Sequence, residues 1–445
     1  MRGYLRHLFL TADIGVSGAN IGVAETGSIV METNEGNGRL VTSVPKIHLV
    51  IIGMEKIVPK WEDATYLVKG HSSSATGQNM TVYVSVITKH GPLAGSTDGR
   101  EYHVVILDNG RSKMRDDPWF SEALNCIRCG ACMNVCPTYG IAGGHTFGYI
   151  YPGPIGIPWT AEVHGLDKAT FAHLCVSCGL CKEICPVDIN IPMMIAKVKE
   201  EEVKENGQLS VNNFFMSSEA LAKLASATSP LSNWTLRRAA TRVIMESLFG
   251  VDKRRTLPTF ARKRLRKRIA PLGSGKGEAG KVVFFPDVYA DYNDPELGVR
   301  AVKILLALGY RVEVPDLRWS GMPYISYGEI TKATYVAKKN LETLRPYLDQ
   351  GFSVVSTEPT AVYMFKDVYP TLAPGELAER AKARSFPFFE FIQGRLGDLG
   401  LRPCYPTEEA IGFHIPCHDR AVSLGKPAVA FLRAAGYDVK VVENG

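Results

Sequence analysis

Two cysteine runs with the same spacing constrain this chain more than any other feature of its sequence. Each run reads C-x2-C-x2-C-x3-C-P, and the two runs close with Pro137 and Pro186. Three thiols at intervals of three residues suit a tight turn, in which Gly130 and Gly179 let the backbone curl closely. Zinc sites also use C-x2-C, but they need neither a third cysteine at that interval nor a fourth before proline. The runs are Cys126, Cys129, Cys132 and Cys136, followed by Cys175, Cys178, Cys181 and Cys185.

This spacing is that of a bacterial-type ferredoxin with two [4Fe–4S] clusters, in which the fourth cysteine of each run ligates the other cluster. His145, His164 and His173 lie near the runs in sequence, but cysteines already fill all eight ligand positions. Such clusters carry single electrons, so the expected role is electron transfer rather than catalysis. The predicted ligands are Cys126, Cys129, Cys132 and Cys185 for one cluster, and Cys175, Cys178, Cys181 and Cys136 for the other.

Composition points to a reducing compartment. Only Cys404 and Cys417 of the ten cysteines lie outside the runs, so no disulfide framework is expected. No apolar stretch approaches the ~20 residues that span a bilayer. We therefore expect a cytoplasmic protein, and a peripheral position on the inner face of the membrane stays open. The 445 residues allow several domains, and the predicted fold class is multidomain α/β.

Residues 1–115 are predicted to form the first α/β domain. Turns are expected at Thr33–Arg39 and Ser72–Gln78, where Gly, Asn and Ser cluster. The polar loop Ala24–Ser28 could bind a small ligand, although a tight turn on a strand scaffold is the favoured interpretation. Apolar runs predict strands at Ile47–Gly53, Val82–Ile87 and His103–Leu107.

Residues 116–206 are predicted to form the two-cluster, ferredoxin-like α-helical domain. Gly140–Pro158 is too rich in Gly and Pro to favour a long helix, and we expect it to wrap the clusters. A helix is predicted from Met193 to about Asn206, with its Lys and Glu residues on a solvated face.

Residues 207–280 are predicted to be a basic helical connector that ends in a flexible Gly-rich linker, Gly273–Gly280. Positive charge is concentrated at Lys253–Arg255 and Arg262–Arg268. The stretch could dock on an anionic membrane or an acidic partner, or it could be a solvated helix. No nucleic-acid recognition motif accompanies it, so a nucleic-acid partner is not expected.

Residues 281–445 are predicted to form a duplicated α/β domain. A buried strand is predicted at Val282–Phe285. Asp294 is then placed to cap a helix that has Pro295 at its first position and Gly309 after its end. A strand follows at Tyr310–Val314. The same order recurs with a strand at Phe413–Ile415, a helix at Pro427–Ala435 and a strand at Gly436–Val441.

The N-terminal half resembles the iron–sulfur subunits that carry a lactate-utilisation (LUD) domain. The resemblance covers roughly residues 5–200 and suggests a partial LUD domain, because family members carry more of that domain before this point. It implies the iron–sulfur subunit of a bacterial system that oxidises lactate. The motifs that carry it are Ala12–Asn20, Ala24–Ser28, Thr33–Arg39, Glu55–Lys56, Ser74–Gln78, Leu107–Arg111, Cys126–Pro137, Gly143–His145 and Tyr151–Gly156.

The C-terminal half resembles the cysteine-rich (CCG) domain found in the iron–sulfur subunit of anaerobic glycerol-3-phosphate dehydrogenase. Phe285-Pro286, Asn293–Gly298, Gly321–Pro323 and His414–His418 carry that resemblance. The cysteine positions of the first half hold Val288, Trp319, Ser320 and Glu358, which cannot ligate a cluster as thiolates. The second half keeps Cys417, and the chain ends before its paired cysteines would come. The CCG-like domain is therefore predicted to be degenerate and truncated. Cys404 is predicted to be an ordinary thiol, and so is Cys417, although Cys417 could hold a metal weakly together with His414 and His418.

The leading functional hypothesis is an electron-transfer subunit of a 2-hydroxy-acid oxidising complex, with lactate as first choice and quinone or another carrier as acceptor. No G-x-G-x-x-G follows a strand, so hydride chemistry is assigned to a partner with a flavin or a cysteine-rich domain. One alternative is a subunit of a glycerol-3-phosphate, glycolate or heterodisulfide oxidoreductase. Another is a non-catalytic iron–sulfur sensor or scaffold.

Overall fold

The computed structural model of the chain describes residues 2–81, 83–88, 99–399 and 409–442. It divides into two compact units, Met1–Leu124 and Asn125–Gly445. No helix in these ranges is both long and apolar enough to cross a membrane.

The first unit mixes helices and strands, as its sequence predicts. Its helices are α1 (Arg2–Thr11), α2 (Gly36–Ser43), α3 (Trp61–Thr76) and α4 (Arg111–Asp116). Its strands are β1 (Ile14–Ser17), β2 (Ile21–Val23), β3 (Ser28–Glu32), β4 (Ile47–Gly53), β5 (Ile57–Val58), β6 (Val84–Ile87) and β7 (Glu101–Leu107).

These strands form two sheets. One is fully parallel in the order β1-β4-β7, and it pairs Ile47 of β4 with Ile14 on one side and Glu101 on the other. The other has the order β5-β2-β3-β6, in which β3 runs antiparallel to both β2 and β6. The Ala24–Ser28 loop is the tight turn between β2 and β3, with Gly27 at φ +66°.

Two predicted turns in this unit are shorter than expected. Thr33–Arg39 bends only at Asn34 and Glu35, because α2 begins at Gly36. Ser72–Gln78 is helical as far as Thr76, and the chain then turns at Gly77, which has φ of +72°. α3 buries Ala64, Val68 and Ser72 on one face, so packing outweighs the turn preference of its serines. The strand at Ile47–Gly53 is confirmed, whereas β7 is a strand whose residues Val104–Leu107 are 39–55% exposed rather than buried.

The second unit begins with helices around the cysteine runs. Gly140–Pro158 is more helical than predicted, since parts of α6 and α7 lie in it. α6 has a kink at Gly143, and α7 includes Pro158 and buries Ile157 and Trp159. The helices of this region are α5 (Ala131–Asn134), α6 (Pro137–Thr146), α7 (Gly153–His164), α8 (Leu180–Glu183) and α9 (Ile191–Asn206).

Short helices fill the basic connector. They are α10 (Ser210–Met216), α11 (Ser218–Ala227), α12 (Leu231–Leu236), α13 (Ala239–Phe249) and α14 (Leu265–Ile269). The Gly-rich segment that follows is packed rather than loose, since the Ser274 carbonyl accepts a hydrogen bond of 2.7 Å from the Val312 N–H.

The rest of the unit is α/β. Its helices are α15 (Pro295–Ala307), α16 (Met322–Ser326), α17 (Ile330–Asp349), α18 (Pro359–Tyr363), α19 (Tyr369–Leu372), α20 (Glu376–Ala383), α21 (Phe388–Ile392), α22 (Cys417–Ser423) and α23 (Lys426–Ala434). Its strands are β8 (Gly280–Phe284), β9 (Tyr310–Glu313), β10 (Ser353–Ser356), β11 (Ser385–Pro387), β12 (Ile411–His414) and β13 (Val439–Val442).

Parallel strand–helix–strand units occur here in the two predicted segments. β8, α15 and β9 form the first, within a parallel sheet of order β11-β10-β8-β9. β12, α23 and β13 form the second, with β12 and β13 parallel. The predicted cap is also present, because the Asp294 side chain accepts a hydrogen bond from the Leu297 N–H at the start of α15. The assignment of this region to a CCG domain stays a prediction.

Candidate iron–sulfur site

The two cysteine runs adopt the same backbone conformation. In the first loop Arg128 and Gly130 have φ of +59° and +78°, and in the second Ser177 and Gly179 have φ of +56° and +82°. Positive φ is uncommon for a residue other than glycine, and here it recurs at the same offset from the first cysteine. A four-residue helix then follows each loop, α5 in the first and α8 in the second.

This turn aims backbone N–H groups at sulfur. The N–H of Arg128 donates to Cys126 Sγ at 3.4 Å, and the N–H of Ser177 donates to Cys175 Sγ at 3.4 Å. The fourth cysteine of each run also accepts an N–H, because Tyr139 donates to Cys136 at 3.4 Å and Ile189 donates to Cys185 at 3.5 Å. Hydrogen bonds to cysteine sulfur are one of the means by which proteins set cluster potentials.

Four of the predicted ligands line one cavity of about 330 Å³. Three thiols come from the first run and Cys185 comes from the second. Tyr151, Ile155 and Trp159 of the segment around α7 close one wall, as the wrapping prediction for this segment requires. The thiols in this first cavity are those of Cys126, Cys129, Cys132 and Cys185.

The other four predicted ligands line a second, narrower cavity. Here three thiols come from the second run and one from the first, and Phe147, Pro154 and Ile195 supply apolar walls. The linings group the cysteines as the crossed ligand prediction does, although the ligand assignment itself stays a prediction. The thiols in this second cavity are those of Cys136, Cys175, Cys178 and Cys181.

Burial raises the pKa of five of these thiols, those of Cys126, Cys132, Cys136, Cys178 and Cys181. Burial raises the pKa of Cys178 to about 12 and the pKa of Cys181 well above its ordinary value. Neighbouring thiols add to the effect, since Cys126, Cys129 and Cys185 all raise the pKa of Cys132. Bound iron would supply the positive charge that holds such thiols as thiolates. Sulfur donors grouped in fours therefore fit the ligand set of a [4Fe–4S] cluster, which accepts and releases single electrons when bound.

The C-terminal α/β region covers the second cavity. Tyr363 at the end of α18 lies against Gly179, and its ring stacks on His418 with centroids 4.9 Å apart. His418 Nε2 lies 3.0 Å from the Ser177 carbonyl, so it acts as a donor there. Lys182 and Asp367 add an ion pair of 2.9 Å. These contacts join the second cysteine loop to residues more than 180 positions away.

Lys199 is a positioning residue that the sequence analysis missed. It was expected on a solvated face of α9, but it is 2% exposed. Its Nζ donates to the carbonyls of Cys175 and Ser326, both at 2.9 Å. The charge pattern of the helix did not predict the burial of Lys199, because that burial results from residues distant in sequence that pack over α9.

The three histidines near the runs line neither cavity. His145 is exposed, and His173 pairs with Glu202 at 2.6 Å. His164 packs against Tyr149 and Tyr151 instead of facing a thiol.

The positions at which the CCG resemblance would place cysteines hold no thiol. Val288 and Ser320 both donate backbone N–H groups to the buried Asp287 carboxylate, at 2.9 and 3.1 Å. Glu358 accepts N–H groups from Tyr289 and Ala290, at 3.3 and 3.1 Å. Burial, together with the neighbouring Asp287 carboxylate, raises the pKa of Glu358 to about 8. This cluster of carboxylates has no sulfur donor for an iron–sulfur cluster.

Cys417 lies near the second cavity but is not part of its lining. Its thiol is exposed, and it is close enough to Cys178 to raise the pKa of that residue. Cys404 lies outside the described residues.

We predict that Cys185→Ala removes the cluster of the first cavity, because that cavity then lacks one of four thiols. Iron content should fall by about half, since each cavity holds one cluster in the two-run pattern. Alkylation followed by mass spectrometry should then label Cys126, Cys129 and Cys132 while the second cavity stays protected. Cys136→Ala is the matched control and should expose the opposite set. Labelling of Cys175, Cys178 and Cys181 in Cys185→Ala would contradict the crossed pairing.

Gly179→Ala should damage the second cavity far more than Gly130→Ala damages the first. Both glycines have left-handed φ, so each substitution has a backbone cost of about 1 kcal/mol. A Cβ at Gly179 would also lie 2.5 Å from the Tyr363 ring, whereas the nearest atom at Gly130 is Met133 Cε at 3.4 Å. We expect Gly179→Ala alone to lose about half of the iron, and Tyr363→Ala to restore it. Equal iron in the two glycine variants would refute this difference.

Cys417→Ser should leave iron content unchanged, because four other thiols already line the second cavity. Iron and sulfide determination after anaerobic reconstitution is the measurement. The loss of a whole cluster would mean that Cys417 is a ligand.

Comparison with known proteins agrees with the LUD resemblance of the N-terminal half and with the cluster-binding spacing of its cysteines. Residues 1–107 match the LUD domain, and residues 122–189 match the 4Fe-4S dicluster domain. A solved DUF162 family protein from Deinococcus radiodurans covers 22% of this chain and 56% of its own, at 18% identity and a TM-score of 0.17, which is too low to bear on the fold.

Curated relatives carry the name lactate utilization protein B. The protein from Shouchella clausii is 41% identical over 260 residues, covering 58% of this chain and 52% of the relative. The protein from Bacillus subtilis is 38% identical over 263 residues, covering 53% of this chain and 54% of the relative. The chain thus spans about half the length of the curated relatives it matches. It contains a LUD-domain segment followed by a 4Fe-4S dicluster segment, and it is an iron–sulfur protein similar to lactate utilization protein B.

Proposed function

We propose that this chain is the electron-transfer subunit of a complex that oxidises a 2-hydroxy acid, with lactate as the substrate. The observation that carries the proposal is the pair of four-cysteine cavities in a chain similar to lactate utilization protein B. Each cavity would hold one [4Fe–4S] cluster, giving two clusters within one unit of the chain.

The chemistry divides between this chain and a partner. Oxidation of lactate to pyruvate releases two electrons and two protons, whereas each cluster takes one electron at a time. A subunit with a flavin or a cysteine-rich domain would take both electrons from the substrate and pass them on singly. This chain would then deliver them to a quinone or another carrier, and each cluster would return to its oxidised state.

The surroundings of the cavities favour one direction of flow. The rim of the first cavity is apolar and open, with Ile127 61% exposed and Val187 38% exposed. Exposed apolar surface of this kind suits contact with a protein partner. The second cavity is covered by Tyr363 and His418. We therefore assign the first cavity as the point where electrons arrive and the second as the point where they leave.

Anaerobic EPR of the chain isolated with its native partners tests the proposal. L-lactate, D-lactate, glycolate and glycerol 3-phosphate are added in turn, followed by dithionite. We expect one isomer of lactate to produce the signal of reduced [4Fe–4S] clusters. Reduction by glycolate or glycerol 3-phosphate alone would overturn the lactate assignment and favour the relationship to anaerobic glycerol-3-phosphate dehydrogenase. Reduction by dithionite alone would overturn the relay and favour a sensor or scaffold.

A further inference from the structure

The connector helices α10–α13 carry an exposed apolar surface. α12 and α13 bury none of their residues, although both are rich in apolar side chains. Exposed apolar residues gathered on adjacent helices mark an interaction surface. Six large side chains of this region are more than half exposed, namely those of Leu224, Leu231, Trp234, Val243, Ile244 and Leu248.

The connector as a whole carries the positive charge of the chain, and 10 of its 14 basic residues follow α13. Residues 207–278 contain 14 Lys and Arg residues against four Asp and Glu residues, a net charge of +10 in a chain whose total is +6. Arg237, Arg238 and Arg255 are exposed next to α12 and α13. Arg238 also lies over the Trp234 ring, 4.2 Å from its centroid. An apolar helix face flanked by exposed cations is the arrangement that binds anionic lipid.

Part of the basic segment serves the fold instead. Arg264 pairs with Asp291, and Arg266 donates to the Val314 carbonyl at 2.9 Å. Leu265 between them is fully buried. Because α14 is fixed in this way, the surface available to a partner is that of α10–α13 and the loop that follows.

A large cavity opens onto this surface. Its volume is about 580 Å³, within the usual range for small-molecule sites. Leu224 and Leu231 line it and are also more than 60% exposed, so they stand at its mouth. The lining is mainly apolar, and the hydroxyl groups of Thr228, Ser232 and Thr235 in it donate to backbone carbonyls of α11 and α12. A mainly apolar wall of this kind suits a flat apolar ring.

Contacts connect this cavity to the second cysteine cavity. Lys199 Nζ bridges the carbonyls of Cys175 and Ser326. The next residue, Tyr327, stacks on Phe215 with ring centroids 6.4 Å apart, and Phe215 lines the connector cavity. These contacts therefore connect the second cysteine cavity, from which electrons are assigned to leave, to the wall of the connector cavity.

We propose that α10–α13 dock on an anionic membrane surface and that their cavity takes the ring of a lipid-soluble quinone. The electron source rests on the proposed function, whereas docking and binding do not. The quinone would receive two electrons, one from each reduced cluster, and two protons from the aqueous phase, which yields the quinol and two oxidised clusters.

Vesicle flotation of the cluster-loaded full chain tests the docking. We expect binding to vesicles that contain phosphatidylglycerol but not to phosphatidylcholine alone, and we expect salt to weaken it. Arg255→Gln should weaken binding roughly fivefold, as one juxtamembrane cation does, whereas Lys303→Gln on α15 should not. Leu231→Asp and Ile244→Asp should abolish binding. Tyr335→Asp on α17 adds the same charge at a 52% exposed position and should leave binding intact.

Reoxidation of the dithionite-reduced protein tests the cavity. Quinone in anionic vesicles should restore the visible absorption that the clusters lose on reduction, and Ala225→Trp should slow this recovery about tenfold by filling the cavity. Ala220→Trp, on an exposed position of the same helix, should leave the rate unchanged. Ferricyanide should reoxidise all variants equally, which shows that the clusters are intact.

Equal flotation with neutral and anionic vesicles, or no flotation, would overturn the proposal that α10–α13 dock on an anionic membrane. Binding of an acidic protein through the same residues would also overturn it and would assign the surface to a protein partner. A wild-type rate of quinone reduction in Ala225→Trp would overturn the cavity. These outcomes are separate from the lactate test, because dithionite replaces the substrate and its partner.

Discussion

Each cysteine cavity takes three thiols from one run and one from the other, and this exchange constrains the rest of the second unit. Neither cavity can be complete unless both runs fold against each other. The segment between the runs, with α6 and α7, therefore has to bring the fourth cysteine of one run to the loop of the other. Burial of α7 among apolar side chains limits the access of water to that arrangement, which strengthens electrostatic interactions at the thiols.

The two cavities have different surroundings, although their loops are nearly identical. The first faces outward past an apolar rim, whereas the second is covered by groups from the C-terminal α/β region. Tyr363 contacts the glycine of the second loop, His418 donates to its backbone, and Lys199 fixes the carbonyl of Cys175. The C-terminal region thus acts as a structural cover for the second cavity.

Along the chain, the basic connector lies between the helices around the cysteine runs and the C-terminal α/β region. It has two roles. Arg264 and Arg266 attach α14 to Asp291 and to the chain that follows β9, and their positive charges have partners within the unit. The helices before them leave apolar side chains and cations exposed around a cavity. Exposed apolar side chains have a free-energy cost in water, which a binding partner would remove by covering them. The positive charge of the connector favours an anionic surface as that partner.

Local signals in the sequence determined the cysteine loops, strand β4, the Asp294 cap and the repeated strand–helix–strand order. Each of these depends on spacing or on residues a few positions apart, where steric limits and capping chemistry act directly. Tertiary structure decided the remaining features of the fold and of the cavities, because those features depend on contacts between residues far apart in the chain. Packing made a helix of most of the predicted turn at Ser72–Gln78, buried Lys199, and brought Tyr363 and His418 to the second cavity. Periodicity and composition describe which residues prefer the interior, but only the folded chain sets which groups meet there.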